Sequence, residues 1–317
     1  MEEDNRMRRP LVVVGSINLD LVCMAERIPA PGETITGSIF QTFHGGKGAN
    51  QAVAVARLGY PVSMIAKVGD DEFGGRLRQG LRGAGVNVSA VTAAKATASG
   101  VALISVDAQA QNSIIVIPGA NGKLLPRDLE KNLPRLRSAG MILTQLETPL
   151  ETVEYLCSAA RRLQVPLILD PAPARQIPDS MLRQVTYVTP NESETCTLCG
   201  TQGHELNPAT VAELAQALQN RGAANIIIKM GVHGAYIASA DGLRKMIPAF
   251  KVKAVDTTAA GDAFNGGLAV ALMRGENLEP AVRFGSAVAA VSVTRAGAQP
   301  AMPTAREVSQ LLKHSRK

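Results

Sequence analysis

Short runs of Val, Ile and Leu recur along this chain, and most are followed by a longer stretch whose apolar positions fall on one helical face. Residues 11–15 form the first run and read as a buried strand. Residues 62–68, 141–143, 167–170, 187–189 and 225–229 repeat it. Between them, 46–58, 73–84, 150–163 and 210–221 carry helical spacing, with small or aliphatic residues on the inward face. Strands alternating with helices at this spacing predict an α/β fold: a mostly parallel central sheet covered by helices on both faces, a three-layer sandwich. In such sheets ligands bind beyond the carboxyl ends of the strands.

Two stretches break the rhythm. Residues 21–43 hold a Pro29-x-Pro31-Gly32 turn and then alternating Thr and Ile, and 100–106 with 113–117 read as a hairpin. No helix separates these pieces. They predict a small β lid, formed by segments about 19–44 and 97–119, over one end of the main sheet. The last third is helical, at 261–274, 280–293 and 304–312. No repeat or linker divides the chain, so residues 1–317 are expected to form one domain with its lid.

Composition agrees with a packed core. Hydrophobic residues make up 46% and aromatics 3%, with no Trp, so aliphatic side chains must fill the core. The net charge of +6 is scattered apart from Arg6, Arg8 and Arg9 at one end and Lys313, Arg316 and Lys317 at the other. A nucleic-acid groove would cluster basic with aromatic residues, so no nucleic-acid partner is expected. A mild positive field instead suits an enzyme that takes up a polyanion. The longest apolar runs are too short to span a bilayer or act as a leader, which excludes a membrane partner and places the chain in the cytoplasm. The four cysteines make no disulfide framework. Cys196-x-x-Cys199, even with His204 nearby, lacks the ligands of a zinc site and reads as two small apolar residues on a helix.

Two runs carry chemistry. His44-Gly45-Gly46-Lys47-Gly48-Ala49-Asn50-Gln51 brings glycine-rich backbone into the start of a helix, where amides are free to donate. It is neither a P-loop nor a dinucleotide fingerprint, because no Ser or Thr follows Gly-Lys and the spacing is wrong; a nicotinamide-dependent dehydrogenase is thereby excluded. Asp256-Thr257-Thr258-Ala259-Ala260-Gly261-Asp262 leads small residues into a second helix. Its amides suit an anion, and Asp262 stands at the lip. Phosphoryl transfer to an alcohol needs that pair: donors for the equatorial oxygens and a carboxylate for the hydroxyl proton.

Together the two runs resemble the ribokinase branch of the PfkB carbohydrate kinase family. The resemblance spans about residues 11–303 and includes Gly15-Ser16-Ile17-Asn18-Leu19-Asp20, Gln145-Leu146-Glu147, Asp170-Pro171-Ala172-Pro173, Asn191-Glu192-Ser193-Glu194 and Thr294-Arg295-Ala296-Gly297-Ala298. It implies a ribokinase-like fold. It also implies a sugar pocket of Asn18, Asp20, Gly46, Lys47, Asn50 and Glu147, with Asp262 as base and the Ala259, Ala260, Gly261 and Asp262 amides as anion hole. The ATP side would use Asn191, Lys229, Gly231, Gly234, Gly261 and Ser286. Mg²⁺ would be held through water by Asn191 and Glu194, and K⁺ by Asp256, Thr258, Val293, Ala296 and Ala298. Two departures stand out: Lys229 replaces a frequent Thr or Ser, and Ala259 replaces a usual Gly, which a negative φ would accommodate.

The activity implied is transfer of the ATP γ-phosphate to the 5-hydroxyl of D-ribose. Deoxyribose, another pentose or a nucleoside are the alternative acceptors, with few aromatics besides Phe43 to stack a base. A sugar sensor without catalysis would be expected to have lost Asp262 or the glycine turn, and both are present. The open edges and apolar face of the lid imply a homodimer formed through it.

Overall fold

The computed structural model describes residues 9–109, 111–201, 206–207 and 209–315. Arg6, Arg8, His204, Arg316 and Lys317 lie outside them. The strands are β1 (Leu11–Val14), β2 (Asn18–Met24), β3 (Ile39–Gly45), β4 (Val62–Gly69), β5 (Asn87–Ala94), β6 (Gly100–Val106), β7 (Asn112–Ile117), β8 (Met141–Thr144), β9 (Leu167–Leu169), β10 (Tyr187–Val188), β11 (Asn225–Lys229), β12 (Ala235–Ala238) and β13 (Arg244–Ile247).

Nine of them make one sheet in the order β13-β12-β11-β10-β9-β8-β1-β4-β5. It is parallel from β11 to β5, and the β12–β13 hairpin adds two antiparallel strands at one edge. The alternation of side chains sorts every central strand between two cores. Leu11, Val13, Leu143, Ile168 and Ile227 enter the core under helices Lys47–Arg57, Ala260–Met273 and Leu278–Ser292. Val12, Val14, Ile142, Leu169 and Ile228 enter the other, under helices Leu150–Leu163 and Val211–Asn220. Burial on both faces is why these strands are continuous apolar runs rather than alternating ones.

The second sheet has the order β3-β2-β6-β7, with β2 and β6 parallel and both outer pairs antiparallel. Its exposed large apolar side chains are divided between its faces, with Phe40, Leu103 and Ile115 on one and Ile39 and Val116 on the other.

The periodic reading missed β5 and the β12–β13 hairpin. β5 alternates buried and exposed positions through Ser, Thr and Ala, too weakly apolar to stand out. The β12 and β13 strands are four residues each, and their pairing comes from the neighbouring chain rather than from their own pattern. The Cys196-x-x-Cys199 pair does lie on one helix, Glu192–Cys199, with Cys196 buried and Cys199 half-buried.

Candidate active site

The chain leaves β3 at Gly45 and turns through Gly46, at φ +87°, into the helix Lys47–Arg57. A Cβ on Gly46 would lie 2.7 Å from the Asn18 amide nitrogen, and one on Gly48 2.7 Å from that of Ser16. Only glycine lets this helix start press against the β1–β2 connection. Asn18 and Asp20 sit two apart on β2 and therefore share a face. The two neighbours of Asn18 in register, Gly45 and Gly100, are small for a reason. A Cβ on Gly45 would meet the Asp20 carboxylate at 2.2 Å, and one on Gly100 would meet Asn18 Oδ1 at 2.4 Å.

Asn121, buried just after β7, holds this end of the pocket. It accepts the Ile17 amide at 2.9 Å and donates to the Ile17 carbonyl and to Asn18 Oδ1, the last at 2.7 Å. Glu147, beyond the end of β8, accepts the Lys47 amide at 3.0 Å and the Ser16 hydroxyl. Burial first, and then the charge of Glu147, push the Asp20 carboxyl up to about 7.

Asp262 lies in the first turn of helix Ala260–Met273 and is 4% exposed. Its two oxygens accept Asn50 Nδ2 at 3.0 Å and Gln51 Nε2 at 3.1 Å. Burial raises its carboxyl to about 6. Lys47 opposes that rise, the Asp170 charge adds to it, and the two amide bonds oppose it. Lys47 itself feels burial as a lowering influence, outweighed by Asp262, Asp170, Glu147 and Glu194, so its ammonium is held charged. A carboxylate near the working pH range, beside a fixed cation, is suited to take a proton. Asn50 Oδ1 has no hydrogen-bond partner among the described residues, although the atom is buried. It is an acceptor left over for a hydroxyl.

The turn before Asp262 departs from expectation in one respect. Ala259 caps the helix at φ +58°, ψ +17°, the left-handed region, so the negative φ expected for it is not adopted. An alanine there costs about 1 kcal/mol relative to glycine. The Ala260 amide donates to the Thr257 carbonyl at 3.2 Å, so it is not free for an anion, whereas the Gly261 and Asp262 amides meet no backbone acceptor.

Asp256 staples this turn to the one after helix Leu278–Ser292, accepting the Thr258 and Gly297 amides at 2.8 Å each. Partial burial works against its ionisation, but the Thr258 and Gly297 bonds outweigh it and lower the carboxyl. Of the expected K⁺ ligands, Asp256, Thr258, Ala296 and Ala298 come from these two turns. Val293 does not fit: its carbonyl already accepts the Val255 amide at 2.7 Å and the Asp256 amide at 3.2 Å.

Asn191 and Glu194 cap helix Glu192–Cys199 reciprocally, with Glu194 accepting the Asn191 amide at 2.8 Å and Asn191 Oδ1 accepting the Glu194 amide at 2.8 Å. Burial raises the Glu194 carboxyl, Lys229 offsets part of the rise, and Asp170 adds to it. Among the described residues no cluster of three or more His, Cys, Asp or Glu could hold a metal directly. The pair fits an ion that keeps its own waters, as Mg²⁺ does.

Gly231 and Gly234 form the tight β11–β12 turn, at φ +49° and +98°. A Cβ on Gly234 would meet the Ile247 carbonyl at 2.0 Å. Lys229, at the end of β11, is bonded to Asp170 at 2.8 Å, and a methyl on Gly261 would lie 3.3 Å from its ammonium. Ser286 is half-buried on helix Leu278–Ser292 and donates to the Val282 carbonyl.

A family model described as pfkB family carbohydrate kinase matches residues 8–305. The chain belongs to the pfkB family of carbohydrate kinases. Within that family it is 42% identical over 304 residues to the ribokinase of Bacillus subtilis, covering 96% of this chain and 99% of the relative. It is 37% identical over 303 residues to the deoxyribokinase of Salmonella typhimurium, covering 95% and 98%. The solved structure of Arabidopsis thaliana ribokinase complexed with ribose and ATP matches with a TM-score of 0.90 at 34% identity, over 97% of this chain and 99% of that one.

Four residues of this pfkB kinase escaped the sequence reading of roles. Gln51, Gln145 and Asp170 stand inside the runs that carried the resemblance, yet nothing local tells a buried amide or carboxylate from a surface one. Asn121 had no local signal at all: its partners lie 103 and 104 residues away in sequence.

Proposed function

We propose that this chain is a ribokinase: it transfers the γ-phosphoryl group of ATP to the 5-hydroxyl of D-ribose, giving D-ribose 5-phosphate and ADP. The observation that carries the reading is the buried Asp262 carboxylate, fixed by Asn50 and Gln51 where uncommitted amides of the helix start converge.

In this reading Asn18, Asp20, Gly46, Lys47, Asn50 and Glu147 bind the sugar. Buried acceptors that a hydroxyl must satisfy reject analogues lacking it. Asp262 takes the proton of the primary hydroxyl as its oxygen attacks the γ-phosphorus. The Gly261 and Asp262 amides receive the equatorial charge, and Lys47 stabilises both partners. Asn191, Lys229, Gly231, Gly234, Gly261 and Ser286 line the nucleotide side. Mg²⁺, held through water by Asn191 and Glu194, would neutralise phosphate charge when bound. K⁺ at Asp256, Thr258, Ala296 and Ala298 would hold the anion-binding turn in shape.

The small sheet acts as the lid, closing over the sugar and excluding water. Its exposed Phe40 and Ile115 favour a homodimer through the lids, since an apolar face of that kind is normally covered. The four free cysteines suit a reducing cytoplasm.

The test is ADP release from MgATP with and without D-ribose in K⁺ buffer, with Asp262→Asn as blank. Ribose-dependent release that the variant loses supports the reading. Release with 2-deoxyribose at a higher kcat/KM than with ribose would move the assignment to the deoxyribokinase reading, which the Salmonella relative keeps open. Equal rates in K⁺ and in a large organic cation would remove K⁺. A monomer mass at micromolar concentration would remove the dimer.

A further inference from the structure

Asp170 has no place among the groups assigned above to sugar, nucleotide or metal, yet it is buried one residue past β9, beside the base. Its Oδ1 accepts Lys229 Nζ at 2.8 Å, and its Oδ2 accepts Gln51 Nε2 at 3.0 Å. That same Gln51 nitrogen donates to Asp262 Oδ1 at 3.1 Å. A carboxamide nitrogen carries two hydrogens, so one goes to each carboxylate and none is left. The other end of Gln51 is also fixed, because its Oε1 accepts Gln145 Nε2 at 2.6 Å. The amide therefore cannot turn over without facing its oxygen to two carboxylates at once. Lys229 reaches this chain of bonds from β11 and lies against Gly261, in the turn that precedes Asp262.

We propose that Lys229, Asp170 and Gln51 are positioning residues that set both the orientation and the ionisation of Asp262. The inference rests on the reading of Asp262 as the base. Two buried carboxylates that share one donor repel each other, and an ammonium on the outer one makes the pair tolerable. Lys229 thus acts on the hydroxyl proton transfer through Asp170, a task that a Thr or Ser at its position could not perform with a full charge. The charged groups around the base are Lys47 on helix Lys47–Arg57 and Asp170 after β9, with Glu147 after β8, Lys229 on β11 and Glu194 on helix Glu192–Cys199 behind them.

The signs of two substitutions are opposite. In Lys229→Met the Asp170 charge is uncompensated and works against ionisation of Asp262, so the acid limb of the kcat profile moves up by about one pH unit. In Asp170→Asn the repulsion is gone and the Lys229 ammonium is left to favour the carboxylate, so the limb moves down by about as much. Lys229→Arg restores the limb, and the double variant returns it close to the parent.

The experiment measures kcat and both KM values against pH for these variants, together with the ¹³C titration of the Asp262 carboxyl, assigned by its loss in Asp262→Asn. Opposite displacements in both readouts support the proposal. An unmoved limb and titration in both single variants overturn it, and so does a Lys229→Met effect confined to the ATP KM, which would make Lys229 a phosphate ligand only. Should one variant fail to fold, Gln51→Met tests the same link, with a raised limb expected and an unmoved one contrary. If the carboxyl titration moves as stated while no sugar is phosphorylated, the positioning network stands and the kinase reading fails.

Discussion

On the side of the site proposed for the sugar, the Asn18, Asn50, Gln51, Asn121 and Glu147 side chains are bonded to one another or to nearby backbone, and most are buried. On the side proposed for the nucleotide, the Gly231–Gly234 turn and the 256–261 turn present mainly backbone, with Val232 and Val255 standing in solvent. The first surface is preorganised by a network that fails as a unit when one member is lost. The second is shaped by φ values, and its residue identities matter mainly where they permit those angles. Specificity for a small polyol is well served by the first design, and the common phosphate group by the second.

The largest expected effect separates chemistry from either surface. Asp262→Asn lowers kcat about 10³-fold, while ribose affinity by calorimetry changes far less. Next come two glycines that should divide the halves. Gly100→Ala drives a methyl into Asn18 and Asn121 and raises the ribose KM on the order of 100-fold with the ATP KM unchanged. Gly234→Ala strains a φ of +98° and crowds the Ile247 carbonyl. It costs about 3 kcal/mol by denaturant unfolding and raises the ATP KM, with ribose binding preserved. If each glycine variant disturbed both substrates equally, the two-material picture of the cleft would be wrong.

The pH response follows in size. Asp262 must be ionised to accept a proton, so kcat falls about tenfold per pH unit below its value of about 6. In the proposed reading Asp20 accepts hydroxyls most strongly as the carboxylate, so the ribose KM rises as the pH drops through about 7, and the ATP KM does not follow it. The same burial gives a stability signature. Asp262 has a folded value above the ordinary 3.8, so its ionisation destabilises the fold as pH rises between those two values. Asp262→Asn is therefore more stable than the parent by on the order of 2 kcal/mol at pH 7, with the gain gone near pH 4, provided the Asn50 amide turns its free oxygen to the new donor. Smallest of all, Ala259→Gly removes the left-handed alanine and adds about 1 kcal/mol in a thermal or denaturant melt.

Much of this site was legible from residue order. The glycines at 45, 46 and 48 announced a close backbone approach, and the acid at 262 a carboxylate at a helix start, because their chemistry is carried by residue type. The proposed K⁺ shell was less legible: its ligands would be mostly carbonyls, which every residue has, and only the structure shows that Val293 has spent its own on two amides. Ala259 is the complementary case, a residue whose type argued for one backbone angle while the helix start imposed another.

The sequence by itself determined the α/β class, the order of the central strands along the chain and the candidate carboxylate at 262, since periodicity and side-chain chemistry are local properties. Only the tertiary structure decided which polar groups meet. Asn121 reaches Asn18 across 103 residues, Gln51 spans 119 and 211 residues to Asp170 and Asp262, and Lys229 closes the chain of bonds from another strand. Such pairings are set by strand order and register, and a hydrogen bond made at 3 Å leaves no periodic trace in the residues that form it.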